Sequence, residues 1–157
     1  EVTTTYEYEH IPAMDDLARI CTNELAPKQI SSACSQLGKK HILTETYGCS
    51  GNDVTPYELK SVGDLQYFLG VNKMCQHLYP YSLARGGKTD HPPVFSRHGN
   101  WYDGFKTFNE YFNRLGYIVA NTHENADVAV IYAIYGSTIS AKSTIRALRK
   151  PKNASLL

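Results

Sequence analysis

The tetrapeptide Thr55-Pro56-Tyr57-Glu58 fixes the start of a helix more firmly than any other stretch of this chain. Thr is a preferred N-cap, Pro suits the first helical position, and Glu three residues after the Thr completes a capping box. Leu59, Val62, Leu65 or Gln66, and Leu69 then share one face, and Gly70 supplies the stop. Short segments read as strands flank this helix, residues 41–44 before it and residues 71–78 after it. A helix between two strands is a crossover unit, and such crossovers run their strands parallel.

The alternation extends in both directions. Residues 1–9, EVTTTYEYE, alternate and are rich in β-branched and aromatic types, which predicts a strand that His10-Ile11-Pro12 breaks. Residues 14–22 read as a short helix, with Leu17, Ile20 and Cys21 on one face. Pro27 opens a better one, in which Ile30, Ala33, Cys34 and Leu37 follow helical spacing up to Gly38. Phe105, Phe108, Phe112, Leu115 and Val119 predict an amphipathic helix over residues 105–120. The near-continuous apolar run at 127–134, DVAVIYAI, reads as a strand buried on both faces of a parallel sheet. The expected fold class is α/β with parallel strands, and 157 residues with 42% hydrophobic content are enough for one ordinary core.

On this reading Glu45 stands at the carboxyl end of a buried strand, and a loop containing Gly48, Ser50, Asn52 and Asp53 follows it. Glu has low strand propensity and an unpaired buried carboxylate is costly, so the position needs a reason. Either an Arg or Lys pairs with it, or it does chemistry. Gln76-His77 ends the next strand on the same side of the sheet. There Glu45 can act as nucleophile or general base, and His77 can bind a substrate hydroxyl or steer the carboxylate. The plain alternative for His77 is a satisfied core imidazole. Glu9 and His10 close the first strand in the same sense, with Glu9 a second possible carboxylate or an ordinary solvated one.

Residues 79–104 form a long loop rich in Pro, Gly and aromatic residues, and loops of that length in compact domains tend to be functional or disordered. Its Tyr81, Arg85, Asp90 and Trp101 are candidates for binding a polyhydroxylated ligand. Trp101 serves equally well as an anchor of the loop on the core. The chain carries twelve Tyr and five Phe against one Trp, which suits stacking combined with hydrogen bonding without separating surface from core rings.

Sixteen basic and fifteen acidic residues give a net charge of +1, which makes no electrostatic case for nucleic acid or an anionic membrane. No apolar run reaches the ~18 residues of a membrane span, and no signal peptide is expected. Cys21, Cys34, Cys49 and Cys75 have no metal-cluster spacing and are expected as free thiols, with one or two bridges the alternative. His77, His91 and His98 lack the spacing of a metal site. Asn153-Ala154-Ser155 matches a glycosylation sequon, a weak pattern. Signatures of serine hydrolases, P-loop proteins and Rossmann dinucleotide binders are absent.

Several motifs together resemble a family. They are Lys28-Gln29-Ile30-Ser31-Ser32-Ala33, Gly38-Lys39-Lys40, Thr44-Glu45-Thr46-Tyr47-Gly48, Gly70-Val71-Asn72, Gln76-His77-Leu78, Lys88 with Asp90-His91-Pro92-Pro93, and Asn100-Trp101. From Tyr6 to Ile134 the chain resembles the late strands of bacterial (β/α)8-barrel glycoside hydrolases, in the α-L-rhamnosidase-like group and its uncharacterised relatives. Certain β-galactosidases share this layout, with an amidotransferase-like α/β domain following. The resemblance implies that Glu45 ends the seventh barrel strand, that residues 71–78 are the eighth, and that residues 105–120 are the last barrel helix. Residues 1–122 would then be the C-terminal part of the barrel and 123–157 the start of a following α/β domain or an extension. In such enzymes the strand-seven Glu is the nucleophile, or the base in inverting members, and its acid partner lies on strand four. The chain is therefore expected to be a fragment that is not a competent hydrolase alone. Relatives tend to carry Trp where Asn52 stands, so a stacking role there is in doubt and the substrate or activity can differ.

The expected function is thus glycosidic bond cleavage, with an oligosaccharide or glycoside as substrate and Glu45 as catalytic residue. Glu9, His10, Gln76, His77, Tyr81, Arg85, Asp90 and Trp101 are the expected substrate contacts. No cofactor is expected, with a structural divalent cation left open, and the rest of a barrel or a second copy is the expected protein partner. A soluble bacterial protein of the periplasm or cytoplasm fits the resemblance. The alternatives are a non-catalytic carbohydrate-binding or scaffold protein with a Tyr-rich loop, and a small unrelated enzyme using Glu45 and His77 as an acid/base pair.

Overall fold

A computed structural model describes residues 11, 13–16, 24–88, 93–131 and 146–149. The chain divides into two compact units, Glu1–Thr122 and His123–Leu157. In the first, the described elements run β1 (Ala13–Asp16), α1 (Leu25–Gln36), β2 (Leu43–Thr46), α2 (Pro56–Phe68), β3 (Lys73–Gln76) and α3 (Phe105–Ala120). Two 3-10 turns, Arg85–Lys88 and Tyr102–Gly104, punctuate the loop before α3.

The three strands form one parallel sheet in the order β1-β2-β3. Met14, Thr44 and Met74 are aligned across it on one side, and Asp15, Glu45 and Cys75 on the other. The side of Met14, Thr44 and Met74 is the helix-covered one. Ile30 and Cys34 of α1, Tyr67 of α2 and Phe112 of α3 cluster there with Ile42 and Val71, and Met14 and Met74 pack against them. A second cluster of Tyr47, Val54, Leu59, Val62 and Phe95 continues it, with Met74, Trp101, Phe105 and Phe108 at its edge.

Local chemistry explains the helix limits. Thr55 accepts from the Glu58 amide at 3.3 Å and the Glu58 carboxylate accepts from the Thr55 amide at 2.8 Å, which is the expected capping box. Both α1 and α2 end in a left-handed Gly, at φ +67° for Gly38 and +109° for Gly70. Lys39 N then reaches Cys34 O at 2.8 Å and Val71 N reaches Gln66 O at 3.1 Å, the wrap-around bonds of a Schellman ending. α1 begins at Leu25, so Pro27 sits inside its first turn rather than at its start. Leu37, expected on the apolar face, is its exposed C-cap.

Three expectations are corrected. Residues 13–16 are a strand, not the start of a helix, because in-register pairing with β2 outweighs a local sequence with no β preference. β2 runs Leu43–Thr46, two residues later than expected, so Glu45 lies within the strand. In the second unit β4 (Val128–Ile131) pairs antiparallel with β5 (Arg146–Arg149), and Val128 is exposed. An apolar run fits a strand of either sense, and here the partner is a basic segment that alternation did not mark. The expected strand at 1–9 and residues 17–23 and 132–134 lie outside the described residues. Cys49 and Cys75 are exposed free thiols, Cys34 is buried, and Cys21 lies outside the description. Among the described residues no helix is long and apolar enough to cross a membrane.

Candidate functional site

A parallel sheet places the exits of β2 and β3 together, and there Glu45 and His77 meet. His77 directly follows β3, and its amide donates to Thr46 O at 2.8 Å, extending the strand pairing by one residue. Side chains alternate along a strand, so His77 falls on the face of Cys75 and Glu45. Its Nδ1 contacts Glu45 Oε1. A carboxylate only accepts hydrogen bonds, so Nδ1 carries the proton and Nε2 is left for another partner. The two side chains are 34% (Glu45) and 27% (His77) exposed, which leaves the pair accessible to a ligand. The partner of Glu45 is therefore a histidine, not the Arg or Lys considered from sequence.

Asp15 is the β1 neighbour of Glu45 in register and is exposed. Adjacent strands lie ~4.8 Å apart, so a second carboxylate flanks the pair on the same face. Sequence reasoning missed it because residues 14–22 read as a helix. Cys75 takes the corresponding place on β3, also exposed.

The opposite face carries the supports. Thr46 Oγ1 accepts from Gln66 Nε2 of α2 at 2.9 Å, and both residues are buried. Gln76 points to this side and donates from Nε2 to Asn109 Oδ1 on α3 at 2.8 Å. Strand alternation thus separates Gln76 from its neighbour His77. Tyr47, directly after β2, is fully buried with φ +74°, a conformation costing roughly 1–3 kcal/mol for a bulky residue. Its hydroxyl donates to Leu59 O at 2.9 Å and its ring lies 6.1 Å from Phe95 and 6.4 Å from Phe108. Burial pushes this phenol far above the ordinary tyrosine range.

The long loop contributes unevenly. Trp101 packs edge-on against Phe95 at 5.8 Å and against Phe105 and Phe108, which anchors the loop to the core and leaves the ring partly exposed. Tyr81 and Arg85 are exposed, and among the described residues neither bonds to Glu45 or His77. Glu9, His10 and Asp90 lie outside the described residues. Among those described, no group of three potential metal ligands occurs.

No model of a known protein family matches the chain, and no solved structure matches it. Over 110 residues it is 31% identical to a Formosa agariphila protein provisionally named a beta-glucuronidase. That stretch covers 67% of this chain and 10% of the relative, so the chain spans about a tenth of the length of the protein it matches.

Proposed function

We propose that this chain contributes to a glycoside hydrolase, with Glu45 as its nucleophile or general base and His77 orienting that carboxylate. The observation that carries the reading is the Glu45–His77 contact at the carboxyl ends of two parallel strands, where α/β folds keep their chemistry. Similarity to a protein provisionally named for glucuronide cleavage supports the same class. On this reading the three βα units belong to a (β/α)8 barrel, and an oligosaccharide or glycoside lies against Asp15, Glu45 and His77. Tyr81, Arg85 and the exposed edge of Trp101 are its candidate contacts from the long loop, and Glu9, His10 and Asp90, outside the described residues, remain candidates from the sequence alone.

In the retaining form, a Glu45 oxygen attacks the anomeric carbon as the bond to the leaving oxygen breaks. A second carboxyl group protonates that oxygen, and water then hydrolyses the glycosyl ester. In the inverting form, Glu45 takes the proton of the attacking water. The Nδ1–H of His77 holds the carboxylate in place, while Nε2 is free for a sugar hydroxyl.

The test is hydrolysis of a panel of aryl glycosides, uronides included, by the protein at its full natural length, with and without Glu45→Gln. Loss of turnover by about a thousandfold or more is expected. A 2-fluoro glycoside that esterifies Glu45 identifies it as nucleophile, whereas an active unsubstituted protein that takes no label at Glu45, together with an inactive Glu45→Gln, identifies it as base. Unchanged hydrolysis in Glu45→Gln would refute the proposal.

A further inference from the structure

An extended continuation of β2 would place Tyr47 on the face of Glu45, two residues on, with its ring beside the carboxylate. The structure does otherwise. At φ +74° the chain turns, and the ring enters the helix-covered side, where it packs with Val54, Leu59, Val62 and Phe95. Few L-residues adopt this conformation, and a bulky one holds it only where its surroundings outweigh the strain.

Those surroundings are specific. The Tyr47 hydroxyl ends on Leu59 O of α2 at 2.9 Å. Gly63, one turn further along α2, leaves the space, since a Cβ there would stand 2.8 Å from that hydroxyl. Phe95 and Phe108 hold the ring from the long loop and from α3. Just upstream, Thr46 is tied to Gln66 by its side chain and to the His77 amide by its carbonyl. Glu45 is therefore followed by two residues whose buried side chains are both bonded to α2.

From this arrangement we infer that Tyr47 is a positioning residue: its left-handed turn, locked by the Leu59 bond, clears the face of Glu45 and holds its carboxylate on His77. The inference rests on reading Glu45 as the reacting carboxylate, and extends that reading to what keeps the site open and aligned. Tyr47 touches no reacting atom. It acts through the backbone of Thr46 and Glu45.

Tyr47→Phe keeps the ring and removes the lock. Two readouts decide the matter: the 15N resonance of His77 Nδ1 in histidine-labelled protein, and separate kcat and KM values for the best aryl glycoside. The Nδ1 resonance is expected to move toward its position in Glu45→Gln. kcat is expected to fall about fivefold, the equivalent of one lost hydrogen bond, with little change in KM. A lower melting temperature with the Nδ1 resonance and kcat both unchanged would overturn the inference and make Tyr47 a packing residue only. Tyr47→Leu, lacking the ring as well, is expected to move the resonance further; the wild-type signal in that folded variant would overturn the inference too. Should the protein hydrolyse no glycoside, the resonance alone decides: a shift upholds the positioning role while the hydrolase reading fails.

Discussion

The imidazole of His77 and the carboxylate of Glu45 meet Nδ1 to Oε1 across adjacent parallel strands, just where both strands end. The pair is partly exposed, so it adds little to stability, no more than about 1 kcal/mol. Its removal should therefore separate function from folding. His77→Ala is expected to move the melting temperature by only a few degrees while lowering kcat/KM on the best aryl glycoside about 10- to 100-fold. Calorimetry with steady-state kinetics checks this, and a large loss of stability with normal kinetics would make the pair structural.

Asp15 shares the face of Glu45 one strand away, and on the proposed function it accepts a hydrogen bond from a substrate hydroxyl. Losing one such bond to a charged group corresponds to ~1.5–3 kcal/mol, so Asp15→Asn is expected to reduce kcat/KM about 10- to 100-fold. The loss should be the same for good and poor leaving groups. A defect confined to poor leaving groups would instead make Asp15 the proton donor.

Two helical glycines stand where neighbouring atoms leave no room for a side chain. A Cβ on Gly63 would strike the Phe112 ring and the Tyr47 hydroxyl, and one on Gly116 would lie 2.5 Å from Asn72 O. Alanine favours a helix by about 1 kcal/mol over glycine, but overpacking costs about 1–3 kcal/mol or more. Gly63→Ala and Gly116→Ala should both destabilise the protein in urea titrations. Gly116→Ala should be the worse, because it meets backbone that anchors β3, whereas an aromatic ring can shift.

Burial raises the phenols of Tyr47 and Tyr67, the latter up to about 12. A group whose folded pKa lies above its unfolded value of about 10 contributes stability that is complete below pH 10 and is lost as the pH rises toward the folded value. Each phenol should add a slope approaching 1.4 kcal/mol per pH unit in that window. Absorbance titration near 295 nm should leave these two tyrosines un-ionised at pH 11 while the fold persists, and denaturant midpoints should fall from pH 10 upward. A flat stability profile from pH 9 to 12 would contradict this.

Elements governed by local chemistry were legible in the amino-acid order. The capping box at Thr55 and Glu58, the glycine endings at Gly38 and Gly70, and the apolar stripe from Phe105 to Val119 place α2, α3 and the end of α1 to within a residue or two. Glu45 was conspicuous for a related reason, as a carboxylate in a segment otherwise fit for a strand. β1 was not legible, since Ala13-Met14-Asp15-Asp16 has no intrinsic strand preference and is a strand through its pairing with β2. Nor was the sense of β4, because hydrophobicity marks a strand as buried without naming its partner.

By itself, then, the sequence determined where α2 and α3 begin and end, where α1 stops, and that Glu45 stands near the end of a strand, because capping, glycine conformation and apolar spacing act within a few residues. Only the tertiary structure decided which groups meet that carboxylate. Register across three strands brought Asp15 and His77 to its face and sent Gln76 to the other. Packing against α2 and α3 turned Tyr47 away from it. Each of these relationships joins residues separated along the chain, and strand register and close packing form only once the sheet and its helices come together.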